Sequence, residues 1–67
     1  MQTPDDLPPL LLTPEEAART LRVGRSTVYD LMRSERLVSV KVNGSRRIPL
    51  RALHLFIDAL IEDRGAA

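Results

Sequence analysis

Sixty-seven residues are enough for one small domain, and the chain has no cysteine and a single histidine, which excludes disulfides, a cysteine-based zinc site and a histidine cluster for another metal. Ten Lys and Arg against nine Asp and Glu leave a formal net charge of +1, yet nine of the ten cations lie between Arg19 and Arg51, opposed there only by Asp30 and Glu35. A local excess of +7 in a near-neutral chain is the electrostatic footprint of a nucleic-acid binder.

One Phe, one Tyr and no Trp make a poor stacking platform for single strands, so duplex DNA is the expected partner. No apolar run approaches the roughly 18 residues of a membrane span, and Met1-Gln2-Thr3-Pro4-Asp5-Asp6 lacks the basic region of a signal peptide. A cytoplasmic protein without membrane contact is expected.

Residues 1–9 contain Pro4, Pro8 and Pro9 with Asp5 and Asp6, and proline lacks the N–H that a helix or inner strand requires, so a flexible tail is expected. Leu10, Leu11 and Leu12 form an apolar run too short for a helix, suited to an extended segment pressed onto the core and able to pair with a hairpin. Thr13-Pro14-Glu15-Glu16 is a helix start: the Thr13 hydroxyl can accept from the Glu16 N–H, the Glu16 carboxylate can reach back, and Pro14 suits the first helical position. The first helix is expected from Pro14 to about Leu21. It would bury Ala17, Ala18 and Leu21, with Leu12 packed on Ala17.

Arg22-Val23-Gly24 reads as a short break in which Gly24 supplies backbone freedom and Val23 an apolar plug. A second helix follows, about Arg25 to Ser34. Val28, Leu31 and Met32 form its buried stripe, Arg25, Ser26, Tyr29, Asp30 and Arg33 point outward, and Thr27 lies at the edge.

From Leu37 to Val42 the period becomes two, with Val38, Val40 and Val42 on one face and Ser39 and Lys41 on the other, the pattern of a strand. Asn43-Gly44 tolerates the positive φ angles of a tight hairpin, and Ser45 to Ile48 returns until Pro49 ends the pairing. A last helix, from Leu50 or Arg51 to Asp63, is expected to bury Leu53, Phe56, Ile57 and Leu60 and to stop at Gly65, leaving residues 64–67 as a flexible end. Leu55, Ala52 and Ala59 would then form a second, small apolar stripe on its far side, open to a partner, although a singly exposed leucine needs none. His54 falls on a solvated face without a role.

The second helix of a helix-turn-helix enters the roughly 12 Å major groove. Arg25, Ser26, Thr27, Tyr29, Asp30 and Arg33 are the candidate contacts: arginine bonds guanine bidentately, hydroxyls serve bases or phosphates, and Asp30 either accepts from cytosine or orients Arg33. Lys41, Asn43, Gly44, Ser45, Arg46 and Arg47 form the candidate wing, a basic hairpin for the backbone or minor groove. With Ile48 inward, Arg47 points outward, and Arg46 escapes burial near the hairpin tip. Charges there also blunt an exposed edge strand. Enzyme chemistry has little support, since Ser26 and Ser45 lack a histidine in a supporting pattern and no phosphate-binding motif is present.

These elements in this order, with Leu12-Thr13-Pro14-Glu15-Glu16-Ala17-Ala18, Val23-Gly24-Arg25-Ser26-Thr27-Val28-Tyr29, Leu37 and Arg46-Arg47-Ile48-Pro49, resemble the excisionase family of small winged-helix DNA-binding proteins, within the wider MerR-like group. The resemblance covers about residues 10–62. It implies an α+β, mostly helical fold, a winged helix-turn-helix of three helices and a small β-hairpin wing, placed here at residues 10–63. It also implies no catalytic activity and no cofactor. Family members bind repeated sites near attachment sequences, bend the DNA and direct an integrase towards excision, while others regulate transcription, so the implied partners are double-stranded DNA, an integrase and further copies of the chain. The sequence departs from the pattern at Glu35, where many relatives have glycine, and at Gly24, which replaces a frequent serine.

Overall fold

The computed structural model describes residues 9–66, so most of the expected N-terminal tail lies outside the described residues. The chain runs β1 (Leu11–Leu12), α1 (Pro14–Leu21), α2 (Arg25–Arg33), β2 (Val40–Val42), β3 (Ser45–Pro49) and α3 (Leu50–Ala66). β3 is the central strand of an antiparallel sheet ordered β1-β3-β2. The leucine run thus joins the hairpin, with Leu12 opposite Ile48 and Leu11 opposite Pro49.

α1 begins on the capping box expected from its sequence. The Glu16 N–H donates to Thr13 Oγ1 at 3.1 Å and the Thr13 N–H donates to Glu16 Oε1 at 2.9 Å, satisfying two donors that a helix start otherwise leaves open. Its far end differs from expectation. Arg22, not Gly24, takes the left-handed conformation, at φ 62, and the Val23 N–H donates to the Ala18 carbonyl at 3.0 Å. Gly24 is extended at φ −71 and is the N-cap of α2, its carbonyl accepting from Thr27 and Val28. Val23 is 39% exposed, too open to be a plug.

Leu12, Ala17, Ala18, Val28, Leu37, Ile48, Ala52 and Leu53 form the core, with Leu21, Leu31, Met32, Leu50 and Phe56 partly buried around it. The two alanines let α1 approach α2 closely. Leu37 is buried as part of the turn after α2, not as the first residue of a strand: its N–H donates to the Leu31 carbonyl at 3.1 Å, and β2 starts only at Val40. Val40 stands opposite Arg47 and Val42 opposite Ser45, so these valines share the face turned away from Ile48 and remain exposed.

The root of α3 is held by Ala52 and Leu53 in the core, by a hydrogen bond from the Leu50 N–H to the Leu10 carbonyl at 2.9 Å, and by the Arg36 guanidinium lying over the Phe56 ring. Three expectations fail here. Ala52 is buried, so the stripe of Leu55, Ala52 and Ala59 does not form, while Ile57 and Leu60 are exposed. The helix also continues through Gly65 to Ala66 instead of stopping. The exposure of Ile57 and Leu60 follows from geometry: the first two turns of α3 lie over the body of the domain, where Leu50, Ala52, Leu53 and Phe56 pack, and the later apolar residues are only partly covered. Among the described residues no helix is long and apolar enough to cross a membrane.

Candidate nucleic-acid interface

Packing Val28 against the core with Leu31 and Met32 alongside it turns the opposite face of α2 outward. Arg25, Ser26, Thr27, Tyr29, Asp30 and Arg33 are all exposed there. Asp30 pairs with Arg33 one turn on, the orienting role weighed for it from sequence. Arg25 and Tyr29 are engaged by a residue the sequence reading did not single out: Glu15 of α1 accepts the Tyr29 hydroxyl at 3.2 Å and lies 3.8 Å from the Arg25 guanidinium. No sequence pattern signals that contact, because it depends on how α1 crosses α2.

The wing turns at Asn43 and Gly44 with φ 51 and 82, the left-handed pair that a two-residue hairpin demands and that Asn-Gly adopts with little strain. Lys41 stands directly opposite Arg46. Like charges in register repel, and among the described residues the ion pairs involve Arg25 and Arg33, leaving Lys41, Arg46 and Arg47 without an acidic partner. An unneutralised cluster of this kind suits a polyanion. Arg46 is exposed, as expected, and donates to Ser39 Oγ at 3.3 Å. Arg47 is on the outer face but half-buried, donating to the Arg46 carbonyl at 2.9 Å.

Recognition helix and wing meet across one cleft lined by Tyr29, Met32, Arg33, Glu35, Leu37, Val38, Ser39 and Arg46. Tyr29, Arg33 and Arg46, chosen from separate segments of the sequence, are thereby brought together, while Arg47 and Ser45 face the other side of the ribbon. Glu35, also in the cleft, is left-handed at φ 63.

A helix with an exposed cationic face, packed on a preceding capped helix and flanked by a basic hairpin, defines a winged helix-turn-helix. A model described as a helix-turn-helix domain matches residues 11–60. A protein of Streptomyces ambofaciens named excisionase is 56% identical over 50 residues, covering 75% of this chain and 79% of its own length. One from Saccharopolyspora erythraea named probable excisionase is 41% identical over 58 residues, covering 87% of this chain and 59% of its own length. No solved structure matches the chain. The chain belongs to the excisionase family of helix-turn-helix proteins.

Proposed function

We propose that this chain is a DNA-binding excisionase, which binds and bends attachment-site DNA and so directs an integrase towards excision. The observation that carries the reading is the convergence of Tyr29 and Arg33 of α2 with Arg46 of the wing on one cleft, within a stretch of chain that aligns with an excisionase at 56% identity. In this reading α2 enters the major groove with Arg25, Ser26, Thr27, Tyr29, Asp30 and Arg33. The wing, with Lys41, Asn43, Gly44, Ser45, Arg46 and Arg47, follows the backbone or the adjacent minor groove.

The chemistry is binding and deformation, without a catalytic step or cofactor, in the cytoplasm. The binding unit is residues 10–63. One such module offers a small interface, of order 600 to 1,000 Å², so useful specificity calls for several copies side by side or for the integrase as a tether. Smooth bending over a short site costs on the order of 1–6 kcal/mol, which copies bound in series can share.

The test is a footprint of the protein on DNA tiled across its own locus, at near-physiological salt with excess competitor. Protection of clustered repeats beside an integrase attachment site is expected. Protection confined to a promoter would instead make the protein a transcriptional regulator, and no protection anywhere would remove DNA binding as its function. Arg33→Ala and Arg46→Ala should each weaken protection while leaving the fold intact.

A further inference from the structure

We infer that Glu15 is a positioning residue for DNA recognition, a carboxylate on α1 that holds two side chains of α2 in the geometry that meets the duplex. The inference rests on the DNA-binding reading above and adds a residue which that reading does not use. Glu15 Oε2 accepts the Tyr29 hydroxyl at 3.2 Å and lies 3.8 Å from Arg25 Nη1. Arg25 and Tyr29 are four residues apart and so stand on one face of α2. Both converge on a single oxygen supplied by the other helix of the motif. The adjacent Glu16 is committed to the cap of α1, which leaves Glu15 alone of the pair free to turn towards α2. Glu15, Arg25, Ser26, Tyr29, Asp30 and Arg33 line one shallow depression on the outward face.

The side chains of Arg25 and Glu15 are 67% and 43% exposed, and an ion pair that open adds little to folding stability. An acid on this face also repels phosphates. Its consequence therefore falls on binding. Arg25 and Tyr29, already held, lose less rotamer freedom when they dock on the correct bases. Non-specific docking, in which Arg25 grips whatever phosphate is nearest, must first draw it away from Glu15. The carboxylate thus favours the cognate complex and disfavours the non-specific one, and discrimination is the difference between the two.

Glu15→Gln keeps the shape and an oxygen for the Tyr29 hydroxyl but removes the charge. Titrated on the duplex identified by footprinting and on a scrambled duplex of equal length, it should tighten scrambled binding by roughly 3–10-fold, with the log-log salt slope steeper by about 0.9 as Arg25 gains a phosphate. Cognate affinity should gain less, so the cognate-to-scrambled ratio falls about threefold or more. Tyr29→Phe, which changes no charge and leaves the α1 cap untouched, should lower the same ratio. Glu62→Gln on α3 is the control for simple charge removal and should shift both affinities equally. Should Glu15→Gln behave like Glu62→Gln, Glu15 is only a surface charge and the inference is overturned. A wild-type chain that does not prefer the footprinted duplex overturns the recognition reading and this inference with it; one that discriminates while Glu15→Gln discriminates equally well overturns the role of Glu15 alone. Thermal melting of each variant separates lost folding from altered binding, and because Tyr29 itself faces the duplex, its variant is read in combination: the loss of discrimination in Glu15→Gln/Tyr29→Phe should fall short of the sum of the single losses.

Discussion

Ile48 stands opposite Leu12 in the β1–β3 ladder, and both side chains are buried. This pair joins the segment entering the helix-turn-helix to the strand that carries the wing, so recognition helix and wing share one core. Ile48→Ala should therefore cost about 2–5 kcal/mol, a large share of the stability of a chain this small. The urea midpoint followed by circular dichroism reports it. Arg46→Ala, two residues along on the exposed part of the same strand, should leave that midpoint nearly unchanged; equal effects from the two substitutions would mean that the core is not centred on Ile48.

The Thr13 cap is a second, independent contributor. Thr13→Ala removes the acceptor for the Glu16 N–H and should cost about 1 kcal/mol. Because Glu16 also returns a bond to the Thr13 N–H, the two side chains act as one box. The double variant Thr13→Ala/Glu16→Ala should then cost less than the sum of the single changes. Additive losses in urea unfolding would show two unrelated contacts instead.

What could be read from sequence follows how local each determinant is. The Thr13-Glu16 box and the Asn43-Gly44 turn depend on residues within four positions of each other, and both form as expected. Where the chain takes a left-handed residue is less local: Gly24 has the freedom, but the end of α1 is fixed by its packing, and Arg22 falls at the position that must bend. Leu37 shows the same limit, since its alternation with Ser39 and Lys41 suggests a strand while burial under the turn after α2 decides otherwise. On α3 the apolar pattern runs beyond the domain that could cover it, so Ile57, Leu60 and Ile61 stay exposed although Ala52 in the first turn is buried. For the interface, the outward face of α2 was legible from the period of Val28, Leu31 and Met32. Glu15 was not, because no spacing within one helix encodes a contact between two.

Glu35 combines backbone strain with an unfavourable charge. Its φ of 63 places a non-glycine residue in the left-handed region, which costs roughly 1–2 kcal/mol, and it lines the same cleft as Arg33 and Arg46. Glu35→Gly relieves the strain but gives the unfolded chain more freedom, worth about 0.4–1 kcal/mol in the opposite direction. The expected net result is a stabilisation of about 0.5–1 kcal/mol, with tighter DNA binding. Glu35→Gln separates the two effects, raising affinity without stabilising the fold. A lowered melting temperature for Glu35→Gly would show that the Glu35 side chain contributes more than its backbone costs.

Salt dependence tests the interface as a whole. Arg25 and Arg33 lie on α2, and Lys41, Arg46 and Arg47 lie on the two faces of the wing; each phosphate neutralised contributes about −0.9 to the slope of log affinity against log salt. With Arg25 held by Glu15 and Arg33 reading bases, the three wing cations are left for phosphates and the slope should be about −2.7. Single substitutions then sort the contacts. A phosphate-binding cation changed to alanine makes the slope shallower by about 0.9 and weakens cognate and scrambled duplexes alike, whereas a base-reading one weakens the cognate duplex chiefly and costs roughly 1–3 kcal/mol there. The wing cations Lys41 and Arg46, paired across the hairpin, should fall in the first class, and Arg33, held by Asp30 on the outward face of α2, in the second. A slope near zero for the wild-type chain would be incompatible with a phosphate-gripping wing, whatever the affinity measured at a single salt concentration.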